Sequence, residues 1–161
     1  AAPMGMLARA LRDGGSQVAA VLGAATQNRL FGVLDLRRDV ETVLVTTDDG
    51  SSGYKGRVTD VLAEAVKAVD AQAIYACGPM GMLHAVADAA TAMGIYSQTA
   101  VEESMACGIG VCMTCVLPVI GDDGVTRMVR SCVEGPVFRG DRVRWDDVHT
   151  VPVDTWGAGN H

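Results

Sequence analysis

Residues 58–80 read VTDVLAEAVKAVDAQAIYACGPM, and two periodicities meet inside them. Val58, Val61, Leu62, Ala65, Val66 and Val69 recur at helical spacing, with Thr59 or Asp60 placed to cap the start. From Ala71 to Gly78 the pattern becomes a short uncharged run, the signature of a buried strand. Pro79 then opens a second helix running to about Met93, as a proline in a first turn can.

The same grammar extends in both directions. Residues 3–12 read as a helix with Met6, Leu7, Ala10 and Leu11 on one face, stopped by Asp13-Gly14-Gly15. QVAAVLGAA (17–25) and ETVLVTTDDG (41–50) read as two further strands, and SQTAVEES (97–104) as a fourth. Strands alternating with helices at short intervals predict an α/β fold built on an open, mostly parallel sheet of Rossmann type. From about residue 99 cysteines, glycines and the acidic turn IGDDGVT replace that alternation. We therefore expect two parts, residues 1–98 as the sheet domain and 99–161 as a small metal-organised module. The tail VPVDTWGAGNH reads as loosely held.

Lys and Arg total 13 against 19 Asp and Glu, a net charge of −6. That balance argues against nucleic acid, whose phosphates need clustered cations. It leaves open a nucleotide cofactor, which backbone amides and helix N-termini can hold. No signal peptide opens the sequence, and no uncharged apolar run reaches membrane-spanning length. A cytoplasmic protein is expected, and there clustered cysteines point to metal or redox chemistry more than to disulfides. The opening AAPMGMLARAL lacks an initiator methionine and starts inside a helix, so a fragment with an upstream part is expected.

Four of the five cysteines, Cys107, Cys112, Cys115 and Cys132, fall in the pattern C-x4-C-x2-C-x16-C. Structural zinc is one reading, because C-x2-C is a common half-site. Zinc sites usually pair one such knuckle with another, and here the second half is a single cysteine. The spacing matches the plant-type arrangement for a [2Fe–2S] centre. Gly108 and Gly110 allow the backbone to bend around a cluster, and Met105, Ala106, Ile109, Val111 and Met113 are expected to keep it dry. Four-thiolate zinc in a non-enzymatic nucleotide-binding module is the alternative.

VEESMACGIGVCMTCVLPV and RSCVEGPVF, together with VLGAATQNRLF, TTDDGSSGYKGRVTD and YACGPMGML, resemble the electron-transfer subunits of class B dihydroorotate dehydrogenases. These belong to the wider group of ferredoxin–NAD(P) reductase-like flavoproteins. The resemblance implies that Cys107, Cys112, Cys115 and Cys132 ligate a [2Fe–2S] cluster. It implies that Cys77, Gly78 and Pro79 lie against nicotinamide and flavin, with Cys77 the candidate catalytic residue. Ala2, Pro3 and Met4 would border the pyrophosphate, and the turns holding Gly23, Thr26, Asp48, Asp49 and Gly50 would surround the adenosine half.

Two carboxylates at 48 and 49 should repel a 2′-phosphate, which favours NAD over NADP. FAD is implied in a barrel domain that would precede this chain. The implied partner is an FMN-containing, dihydroorotate-oxidising catalytic subunit in a heterotetramer, with no nucleic acid and no membrane. A reductase subunit serving ferredoxin, sulfide or another dehydrogenase is the alternative within redox chemistry.

Other residues read as ordinary packing or surface. Met4, Met6, Met80, Met82 and Met93 are expected to fill core gaps. His84, His149 and His161 have no ligand spacing to the cysteines. Glu102 and Glu103 either orient the cysteine loop or end a strand in solvent. Phe138 and Trp145 either pack under the cysteine module or face a partner.

Overall fold

The computed structural model describes residues 2–158; His161 lies outside them. The chain divides into two compact units, Ala1–Gln72 and Ala73–His161.

The first unit opens with α1 (Ala2–Asp13), followed by β1 (Ala19–Ala24), α2 (Val33–Asp39), β2 (Thr42–Thr47), the two-residue β3 (Tyr54–Lys55) and α3 (Leu62–Ala68). β1 and β2 pair in parallel with Ala19 opposite Thr42 and Ala24 opposite Thr47, and β3 joins β2 in parallel at Thr46 and Thr47. Parallel neighbours need a crossover rather than a hairpin. A short 3-10 turn (Gln27–Arg29) and α2 supply it, although the residue pattern had suggested no helix there. On α1 the buried position is Ala8, whereas Met6 is exposed, so Met6 does not fill a core gap. Arg9 and Arg12 of α1 both reach Asp39, the last residue of α2, at 2.6 and 3.2 Å. The Arg9 hydrogen bond is the main reason that the Asp39 carboxyl titrates below its ordinary range.

α3 starts with a 3-10 turn (Val58–Asp60) in which the Asp60 carboxylate accepts the Arg57 backbone N–H at 2.8 Å. Asp60 thus closes this 3-10 turn, whereas the N-cap of α3 itself is Val61, with no side-chain cap. Leu62 and Ala65 of α3 are buried.

The second unit begins with β4 (Ala73–Cys77), α4 (Met80–Ala92) and β5 (Tyr96–Ala100), a parallel strand pair with its crossover helix. The helix buries Leu83, Val86, Ala87 and Ala90, spaced three and four apart on one face. β6 (Val116–Ile120) and β7 (Thr126–Arg130) then form an antiparallel hairpin, and β8 (Val137–Arg139) returns to pair antiparallel with β5. The acidic turn IGDDGVT is the hairpin tip. Asp123 accepts the Val125 N–H at 3.1 Å and is held from the side by both Arg127 terminal nitrogens, at 2.8 and 2.7 Å.

One core unites the helix with the hairpin. Leu83 of α4, Val101, Leu117 of β6 and Val143 are buried together, with Met80, Met82, Phe138 and Trp145 packed around them. Phe138 and Trp145 therefore pack locally, and the Trp145 indole N–H donates to the Gly140 carbonyl at 2.9 Å. The tail is tied down as far as it is described: the Trp156 N–H donates to the Thr126 carbonyl at 2.8 Å, and Arg144 binds Asp154. The expectation of a loose tail is corrected there. Among the described residues no helix is long and apolar enough to cross a membrane.

Leu83 and Leu117 are both 0% exposed, so neither site can shed its cost to solvent. Leu117→Ala should destabilise the chain by about 2–5 kcal/mol, read as a lowered urea midpoint by far-UV circular dichroism. An unchanged midpoint would contradict a core shared by α4 and the hairpin.

Candidate functional site

The cysteines come from two arms of the second unit. Cys107 and Cys112 lie on the loop between β5 and β6. Cys115 sits immediately before β6, and Cys132 lies in the turn after β7. The hairpin register brings the last two together, with Val116 opposite Arg130 and the Ser131 N–H donating to the Cys115 carbonyl at 3.0 Å. Cys115 is buried, Cys107 and Cys132 are half-buried and Cys112 is exposed.

The thiols fall into two pairs. The Cys112 N–H approaches the Cys107 sulfur at 3.5 Å, and the Thr114 hydroxyl donates to the Cys112 sulfur at 3.1 Å. Amides aimed at Cys107, that of Cys112 first, pull its thiol down to about 6. Cys115 is likewise lowered, chiefly by the backbone and side chain of Cys132. Its partner Cys132 is raised by that same hydrogen bond and by burial, and also by the charge of Cys107. The pairs are therefore neighbours in a setting where amide N–H groups favour thiolates. Among the described residues no three His, Cys, Asp or Glu side chains converge closely enough to hold one metal ion.

The expected dry shell is corrected. Met105, Ile109, Val111 and Met113 are exposed, Val111 at 75%. Cys115 at the end of the loop is buried, whereas the apolar side chains before it are turned outward. Gly110 has φ +78°, and a Cβ there would meet Val133 Cγ2 at 2.5 Å. The loop can lie against the Cys132 turn only without that atom.

Of the two roles expected for Glu103 the structure shows the first, and one further group, Arg130, escaped the residue pattern. The Glu103 side chain is 4% exposed and its Oε2 meets His149 Nε2 at 3.3 Å, so Glu103 is a buried anchor of the loop rather than a solvated strand end. Arg130, two residues before Cys132, donates to the Gly110 carbonyl at 3.0 Å. Its position opposite the residue after Cys115 was the available signal, visible only once the hairpin is known.

In the first unit, the turns after β1 and β2 are stitched together. The Asp48 and Asp49 N–H groups donate to the carbonyls of Ala24 and Ala25 at 3.1 and 3.3 Å, and the Gln27 N–H donates to the Ser51 hydroxyl at 2.7 Å. Gly23, Thr26, Asp48, Asp49 and Gly50 are thereby brought into one region at the carboxyl ends of β1 and β2. The two aspartates differ. Asp49 Oδ1 accepts both the Ser51 hydroxyl and its N–H, at 2.6 and 2.9 Å, which hold its carboxyl below the ordinary range. The Asp48 side chain is exposed. Pro3 and Met4 lie in the first turn of α1, as does the backbone of Ala2. In the second unit Cys77 ends β4, and Pro79 is the N-cap of α4, its carbonyl accepting the Met82 and Leu83 N–H groups.

Residues 102–144 match the family described as the iron–sulfur cluster binding domain of dihydroorotate dehydrogenase B. Among curated proteins, the chain is 39% identical over 141 residues to the dihydroorotate dehydrogenase B (NAD(+)) electron transfer subunit of Geobacillus thermodenitrificans, covering 88% of this chain and 52% of that one. The cysteine module belongs to that iron–sulfur binding family, and the chain as a whole is similar to these electron transfer subunits. A probable subunit of the same name from Methanopyrus kandleri is 36% identical over 156 residues, 97% of this chain and 56% of that one. The chain spans about half the length of the curated relatives it matches. A solved structure, reported as the NADH-dependent reduced ferredoxin–NADP oxidoreductase of flavin-based electron bifurcation, superposes with TM-score 0.73 at 33% identity. That superposition covers 89% of this chain and 50% of that one, consistent with a ferredoxin reductase-like α/β fold.

Gly110→Ala should leave folding intact but open the loop from the Cys132 turn. Iron retained after anaerobic iron–sulfide loading should fall at least severalfold, by colorimetric iron assay; full retention would contradict the close approach.

Proposed function

We propose that this chain is the nucleotide- and cluster-bearing part of an electron-transfer subunit that delivers electrons to NAD+. Functionally it divides into residues 1–98 for the dinucleotide and 99–161 for the cluster. The observation that carries the proposal is the two neighbouring thiol pairs, Cys107 with Cys112 and Cys115 with Cys132, inside the stretch that matches an iron–sulfur binding family. Two pairs suit two irons with two thiolates each. The donor set fits a [2Fe–2S] cluster.

When bound, that cluster would supply one-electron transfer, which a flavin must join to the two-electron hydride chemistry of nicotinamide. The chain's own work is placement. The loop amides around Cys107 stabilise thiolate, and the hairpin holds Cys115 and Cys132 in register. Met105, Ile109, Val111, Met113 and Val133 offer exposed apolar surface around the thiols, which supports docking of a dihydroorotate-oxidising, FMN-containing subunit in a heterotetramer for pyrimidine biosynthesis. FAD would be held mainly by protein beyond this chain, and the complex would be cytoplasmic.

For the dinucleotide, Ala2, Pro3 and Met4 begin the 12-residue α1, whose free N–H groups can face a pyrophosphate. Gly23, Thr26 and Gly50 shape the adenosine turns, and Cys77, Gly78 and Pro79 would lie at the nicotinamide and flavin. Asp49 is committed to Ser51, so Asp48 is the carboxylate free to repel a 2′-phosphate or accept a ribose hydroxyl. The solved reductase gives specific support to a second reading, a reductase subunit working with ferredoxin rather than dihydroorotate.

Serine at each of Cys107, Cys112, Cys115 and Cys132 should abolish or severely reduce cluster loading, while Cys77→Ser should load normally, by iron analysis and visible absorption. Normal loading in any two of the four would refute the ligand set. Asp48→Asn should narrow the preference for NADH over NADPH by about tenfold, measured by calorimetric titration; an unchanged ratio would remove Asp48 from that role.

A further inference from the structure

Arg130 is the last residue of β7, and its side chain is held on two sides. Nη1 donates to the Gly110 carbonyl at 3.0 Å, on the loop that carries Cys107 and Cys112. Nη2 and Nε donate to Glu134 Oε1 at 2.7 and 3.3 Å, and the Arg130 backbone N–H donates to Glu134 Oε2 at 2.9 Å. Glu134 thus straddles the turn that carries Cys132. One cation spans both arms of the cysteine site, and Gly110, lacking a Cβ, lies close against Val133 between them.

We infer that Arg130 is a positioning residue that closes the cysteine loop on the Cys132 turn and raises the reduction potential of the bound cluster, with Glu134 offsetting part of its charge. The inference rests on the [2Fe–2S] reading above. Reduction adds one negative charge to the cluster, so a fixed nearby cation favours the reduced form and a carboxylate disfavours it. Closure adds a second effect in the same direction. On the loop that Arg130 grips, the Cys112 N–H lies 3.5 Å from the Cys107 sulfur, and hydrogen bonds to cluster sulfur are among the levers on potential. Arg130 fixes Gly110 by its carbonyl and so keeps that amide in place.

Arginine is suited to this because its planar fork serves two acceptors at once and cannot lose its proton. Lysine would keep the charge but not the double grip. The pair is partly exposed, at 35% and 38% for the two side chains, so solvent and salt reduce the electrostatic effect.

The test is a potentiometric titration of the anaerobically reconstituted 161-residue chain, followed by EPR, at fixed pH and low salt. Arg130→Gln should lower the potential and Glu134→Gln should raise it, each on the order of tenfold in the one-electron equilibrium, about 59 mV. Arg130→Lys should stay nearer the parent in potential yet lose iron faster to a chelator. Parent-like potentials in both glutamine variants would overturn the inference while leaving the cluster reading intact. If Arg130→Gln holds no cluster, Glu134→Gln decides: a raised potential supports the inference and an unchanged one overturns it. A parent chain with no [2Fe–2S] signal after reconstitution would overturn the cluster reading and this inference with it.

Discussion

The β6–β7 hairpin is the constraint on which the cysteine site depends. Cys115 and Cys132 are separated by a long excursion of chain, and only the register that sets Val116 opposite Arg130 returns the second to the first. The hairpin is held at its tip by Asp123 with Arg127, and at its base by the Ser131 to Cys115 backbone bond. Between them Leu117 anchors it in the core shared with α4. A slip of one residue would turn Leu117 to the opposite face and separate the thiols. Packing therefore fixes the placement of Cys115 beside Cys132.

Much of the α/β part was legible because its signals are local. The 58–80 stretch carries a helical period, then a strand, then a proline, and the structure has α3, β4 and α4 there. The crossover helix α2 was missed: only Leu36 and Asp39 are buried along it, while Leu34 is exposed, so no apolar stripe announces it. The hairpin was missed for a different reason. Pro118 lies in β6, where a proline ordinarily argues against a strand, and its neighbours are the glycines and cysteines of the cluster module. The excursion between Cys115 and Cys132 carries no clear strand alternation in the sequence, yet its hairpin geometry is what brings Cys132 back to Cys115.

The cysteine spacing was legible in full, but its surroundings were not. Polarity alone suggested that Met105, Ile109, Val111 and Met113 would shelter the site, and the structure turns them to solvent. The burial of Glu103 beside His149 is a contact across 46 residues, and no local pattern encodes it. The two adjacent aspartates, alike in sequence, part company only through Ser51. Exposed apolar side chains around half-buried thiols suit electron transfer, which requires a cluster near the surface where a partner can approach.

The measurement that bears most directly on this account is made on the unmodified chain, loaded anaerobically with iron and sulfide. Iron, sulfide and zinc are assayed on the same sample from which an EPR spectrum is recorded after dithionite reduction. The account predicts about two irons and two sulfides per chain, visible bands that bleach on reduction, and a [2Fe–2S] signal. Stoichiometric zinc with no chromophore, persisting through reconstitution, would contradict it and leave a four-thiolate structural site in its place.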